Sequence, residues 1–141
     1  MTKTIGYLEE KNMYLEKFMG INREWLDRLS KGDFTNLEDF RENRESILNI
    51  VKHLDSVIEA HSRKMDGVDV PDPVKHKLNA LLDRKDSLVK VILSQDLEIM
   101  ELVEKAKSQI ILELKQVQKT RKTIGSYKSG SKSRDSVDEE A

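Results

Sequence analysis

Apolar side chains recur at steps of three, four and seven along three stretches of this chain. That is the spacing of one helix face. In the first stretch, near residues 3–30, the face is Leu8, Leu15, Phe18 or Met19, Trp25 or Leu26, then Leu29. Lys11, Glu16, Lys17, Glu24 and Asp27 fall on the other faces. Ser30-Lys31-Gly32-Asp33 predicts the stop, with Gly32 free to take the left-handed cap conformation. The second stretch, near 35–65, carries Leu37, Phe40, Ile47, Val51, Leu54 and Ile58 and ends near Met65. Thr35 with Glu38 reads as a capping box, and Asp33 is a rival cap. A turn this short predicts that the first two helices are antiparallel neighbours. Trp25, Phe34 and Phe40 all fall near it. They form either an aromatic pocket or the core of a hairpin tip, and the second is the commoner use of such side chains.

Residues 66–72 read as a linker, with Asp72 as N-cap and Pro73 at the first helical position. The third helix, near 73–124, contains no further proline or glycine. Its stripe is Leu78, Leu82, Val89, Ile92, Ile99, Val103, Ala106, Ile110 and Val117, and Gly125 is the expected stop. Lengths decide the expected architecture. At 1.5 Å per residue the first two helices span roughly 42–46 Å and the third roughly 75 Å. In an up-down-up arrangement, residues 103–124 then have no cover within the chain. The apolar set also widens there, to include Ile111, Leu112 and Leu114. The expectation is an all-α, elongated antiparallel three-helix bundle or coiled coil over residues 1–127, with a long projecting third helix and a disordered tail at 128–141. The alternative is a fold-back at Lys105-Ala106-Lys107-Ser108 into four helices. On the first reading, Leu102, Val103, Ala106, Ile110, Ile111, Leu114 and Val117 form a partner-binding face, because exposed apolar helix faces have partners.

Composition supports a thin helical core: 37% hydrophobic against 36% charged residues, with few aromatics to fill a round one. No cysteine is present, which excludes disulfides, thiolate chemistry and zinc–thiolate sites. Met1 to Gly6 lacks the apolar stretch of a signal peptide, and no run approaches a membrane span. A soluble cytoplasmic protein without membrane insertion is expected. Net charge is −1, but Lys115 to Arg134 holds no acid, and Asp135, Asp138, Glu139 and Glu140 follow it. Lys115, Lys119, Arg121 and Lys122 either complement a helix C-terminus or dock on an acidic protein surface. Nucleic acid is the weaker partner, since Tyr127 is the sole aromatic near the run.

The chain offers little for catalysis. His53 and His61 lie two helical turns apart, too far to share one metal ion, and His76 is on another helix. Glu-x-x-His pairs, phosphate-binding glycine loops and nucleophile elbows are missing. Neither a catalytic residue nor a metal or cofactor is expected. Asp96, beside the apolar stripe between Ile92 and Ile99, reads as a polar residue that sets helix register.

Two stretches carry a family likeness. One is Leu26-Asp-Arg-Leu-Ser-Lys-Gly-Asp-Phe-Thr-Asn-Leu37, continuing as Glu38-Asp-Phe-Arg-Glu-Asn-Arg-Glu-Ser-Ile-Leu48. The other is Asp96-Leu-Glu-Ile-Met-Glu-Leu102, followed by Glu113-Leu-Lys-Gln-Val-Gln-Lys119 and the late Tyr127. Together they cover about half the chain and resemble the flagellar export chaperones of the FlgN/FliT type, small helical proteins of the bacterial type III export system. The resemblance implies a chaperone that holds the C-terminal helical segment of a hook-associated, capping or filament protein and delivers it to the export apparatus. A structural coiled-coil protein that self-pairs through its C-terminal helix, as a homodimer, is the other expectation.

Overall fold

The computed structural model describes residues 2–65 and 67–131, with side chains through Gly125. It is all-α: α1 Thr2–Ser30, α2 Leu37–Lys64 and α3 Asp72–Ser131. The chain divides into two compact units, Met1–Leu102 and Val103–Ala141.

Cross-helix contacts fix the directions within the first unit. Lys11 pairs with Asp55 at 2.5 Å, Trp25 stacks on Phe40 at 4.6 Å and Tyr7 lies 5.4 Å from His61. Residue numbers rise on α1 as they fall on α2, so these helices are antiparallel. Glu9 pairs with Lys77, Asn12 with Leu81 and Glu16 with Arg84. Those numbers rise together, so α3 runs parallel to α1. The core between them is Leu15, Phe18, Val51, Leu88 and Ile92, with Tyr14, Met19, Ile47 and Val89 packed against it.

The α1–α2 turn is built from two closures. The Asp33 amide donates to the Arg28 carbonyl and the Gly32 amide to the Leu29 carbonyl, with Gly32 at φ 81° as expected for a glycine cap. The expected capping box does not form. The residue before α2 is Asn36, at φ 59°, and its side chain makes no cap bond. Thr35 instead donates its hydroxyl to Asp33 at 2.6 Å and accepts from Arg28 at 3.0 Å, while Glu38 pairs with Arg41. The Arg28 guanidinium, stacked 4.0 Å from the Trp25 ring centre, offers Asp33 and Thr35 a charged partner that a backbone amide does not match.

Two boundaries of α3 differ from expectation. Its first bonds close on the Pro71 carbonyl, from the Val74 and Lys75 amides, so Asp72 lies inside the first turn and not before it. At the other end the helix passes through Gly125 to Ser131. Glycine weakens a helix interior by about 1 kcal/mol relative to alanine but does not forbid it, and Gly125 lacks the positive φ of a cap. The four residues 128–131 of the expected tail are therefore helical, and the rest of that tail lies outside the described residues. Lys105-Ala106-Lys107-Ser108 makes no break in α3.

Candidate helix-docking face

The face is legible as an eleven-residue repeat in α3. Leu88, Ile92 and Gln95 recur as Ile99, Val103 and Ala106, and again as Ile110, Leu114 and Val117. Eleven residues over three turns is close to the natural helical period, so within either unit residues at this spacing share a helix face. The first set is buried, with Leu88 at 1% and Ile92 at 8% exposure. Ile99 is buried too, and Val103 and Ala106 are half-buried. The third set is in solvent: Ile110 is 56% exposed, Leu114 57% and Val117 48%. Within the second unit, residues with the composition of a bundle seam are thus exposed among the described residues.

Within the first unit, Leu102 is half-buried. In the second unit, Ile111 is exposed beside the repeat, and Leu112 and Ile124 are exposed as well. Lys115, Lys119, Arg121 and Lys122 are all exposed. A shallow depression lined by Glu113, Gln116, Val117, Thr120 and Arg121 marks one edge of the face. Its lining combines the apolar Val117 and the neutral Gln116 and Thr120 with an acid, Glu113, and a base, Arg121. An occupant that buries apolar side chains on Ile110, Leu114 and Val117 would find hydrogen-bonding groups along one flank, with the Glu113 carboxylate and the Arg121 guanidinium among them.

Several first-unit positions carry side chains that periodicity misplaced. Leu82, expected on the seam, is 40% exposed, whereas Leu88 is almost wholly buried. Asn12, Asn22 and Gln95 occupy core positions that apolar spacing alone passes over. Asn22 donates to Gln95 Oε1 at 3.2 Å and to Asp96 Oδ1 at 3.3 Å, and Gln95 donates to the Met19 carbonyl at 3.0 Å. Asp96 also accepts from Arg44 of α2, whose guanidinium lies 4.8 Å from the Phe18 ring centre and 5.1 Å from that of Phe40. One polar cluster therefore ties all three helices together, which is the register-setting place expected for Asp96. A second feature is a groove of about 330 Å³ lined by Leu8, Ile58, Leu78 and Leu82 together with Thr4, Ser62, Lys75 and Asn79.

The histidines are dispersed: His61 is half-buried beside Tyr7, and His53 and His76 are exposed. No helix among the described residues is long and apolar enough to cross a membrane. The chain matches no protein-family model, no curated protein and no solved structure.

Proposed function

We propose that the protein is a cytoplasmic export chaperone. It holds the C-terminal helical segment of a flagellar hook-associated, capping or filament protein and prevents that protein from assembling early. The observation that carries this reading is the change in exposure along the eleven-residue repeat: a seam pattern is buried at Leu88 and Ile92 and open at Ile110, Leu114 and Val117. An amphipathic client helix laid on the open set completes the pattern. Lys115, Lys119, Arg121 and Lys122 steer an acidic client or export component toward it. The resemblance of residues 26–48, 96–102 and 113–119, with Tyr127, to the FlgN/FliT type supplies the class of client. The reading assigns no catalysis, metal or cofactor to the chain.

The test is an affinity pull-down from source-cell lysate, with the Ile110→Asp/Leu114→Asp variant as control. Recovery of a flagellar hook-associated, capping or filament protein with the native chain, and its loss with the variant, supports the chaperone. Recovery of the bait alone removes the client and leaves a structural coiled coil. Circular dichroism on both proteins guards the comparison, because a variant that unfolds would place these residues in a core.

A further inference from the structure

All three helices of the first unit contribute to the groove of about 330 Å³, a size at the lower end of ligand-pocket volumes. Its apolar wall takes Leu8 from α1, Ile58 from α2, and Leu78 and Leu82 from α3. Leu8 is 5% exposed, Ile58 and Leu78 are half-buried, and Leu82 is 40% exposed. An occupant therefore buries apolar surface that the fold leaves wet. The polar lining has one chemical character. Thr4 and Ser62 supply hydroxyls, Asn79 an amide and Lys75 an ammonium, and no carboxylate lines the groove among the described residues. Acids adjoin it in sequence, but Glu9 is held by Lys77 at 3.3 Å and Glu59 by Arg63 at 2.6 Å. All four polar groups can donate a hydrogen bond, and the single charge is positive.

We propose that this groove binds a free, short-chain fatty acid, with its hydrocarbon on the leucine and isoleucine wall and its carboxylate at Lys75. Charge complementarity chooses the head. A carboxylate accepts from ammonium, hydroxyl and amide donors alike, and bonds to a charged partner are the stronger kind. A cationic head meets Lys75 and finds no acid in the lining. A neutral head finds donors but makes no ion pair. The volume chooses the tail, since a recess of this size takes one short chain and excludes the paired chains of a phospholipid. Each methylene laid on the wall adds to affinity. The bound ligand touches α1, α2 and α3 together, so it stabilises the first unit by mass action. The lining belongs wholly to the first unit, whereas Ile110, Leu114 and Val117 belong to the second. The proposal therefore stands independently of any client.

The test titrates the full-length chain with sodium octanoate, 1-octanol and octylammonium chloride, probes of equal chain length that differ in the head. Amide chemical shifts report where each one binds, and the Ile110→Asp/Leu114→Asp variant removes any background from the exposed face of the second unit. Octanoate is expected to shift the amides of Leu8, Ile58, Leu78 and Leu82, to raise the thermal midpoint, and to bind more tightly than the other two. Lys75→Glu is expected to weaken octanoate on the order of fivefold, leave 1-octanol unchanged and favour octylammonium. Lys75 is exposed, so circular dichroism should not change. Leu82→Glu, also at an exposed position, is expected to abolish octanoate binding at the groove. Groove amides that do not respond to octanoate, equal affinity for all three heads, or a Lys75→Glu variant that binds octanoate like the native chain overturns the proposal.

Discussion

Asn22 donates its side-chain amide to Gln95 Oε1 at 3.2 Å, across the α1–α3 interface and out of contact with water. Neutral hydrogen bonds of this kind contribute little net stability, but a buried group left without its partner costs its full desolvation. Asn22→Ala is therefore expected to lose about 1–3 kcal/mol in urea unfolding, because it strands Gln95 Oε1. Asn22→Leu with Gln95→Leu removes both polar groups and should recover most of that loss. A double variant whose loss equals the sum of the two single losses would show that the pair is not coupled. The pair's value is in register: an apolar seam alone tolerates slippage, whereas an amide that must meet an amide does not.

Two leucines on α3 should respond in opposite ways. Leu88 is 1% exposed in the core cluster, so Leu88→Ala is expected to cost about 2–5 kcal/mol, from lost burial and the cavity left behind. Leu114 is 57% exposed, and with Ile110 it is open to solvent. Ile110→Asp/Leu114→Asp should leave the bundle's melting midpoint nearly unchanged, since surface changes are usually worth within about 0.5 kcal/mol each. Thermal unfolding of the two variants in one buffer checks the contrast. Equal destabilisation would mean that the solvent-exposed face is core.

The helices, their order and the α1–α2 hairpin were legible because each bears an apolar face at helical spacing. The seam of α3 was legible only in part. Leu81 stands next to Leu82 and Leu88 next to Val89, so spacing could not choose between neighbours. Lys85 and Gln95 fill seam positions with polar side chains, which hides the three–four alternation through Leu81, Leu88 and Ile92. On α1, Thr4, Asn12 and Asn22 do the same. The capping box at Thr35 failed for a different reason. Competition from Arg28 depends on a side chain seven residues earlier, and no local rule contains it. The candidate docking face was visible as an apolar excess after Ile99. Its eleven-residue period becomes evident only once Leu88 and Gln95 are known to share a face with Ile92.

The α1–α2 turn should respond to acid. The Asp33 carboxyl is held at about 2, below its ordinary value of 3.8, chiefly by the hydrogen bonds it accepts from the Thr35 hydroxyl and amide, then from Arg28. A depressed folded value means the ionised form is favoured by folding, so the turn gains stability above pH 3.8 and loses it as pH falls toward about 2. The Thr35 amide resonance should titrate with a midpoint near 2. Asp33→Asn should abolish that titration. A midpoint at the ordinary aspartate value would show that the hydrogen bonds to Thr35 do not persist in solution.

The same substitution at two glycines of the first unit should act with opposite sign. Gly20 lies inside α1 without the positive φ of a cap, and a Cβ there meets nothing within 4 Å. Alanine fits this backbone and restricts the unfolded chain, so Gly20→Ala should add about 0.4–1 kcal/mol. Gly32 also has open space around it, but its φ of 81° belongs to the left-handed region. There alanine suffers the clash of its own Cβ with the backbone, and Gly32→Ala should cost about 1–2 kcal/mol. Because neither site has a steric neighbour, the difference isolates backbone conformation from packing. Urea midpoints that move together would mean that the glycine-capped end of α1 is not formed as described. Midpoints that move apart would fix the turn that sets α2 antiparallel to α1, and with it the register in which Arg44 reaches Asp96.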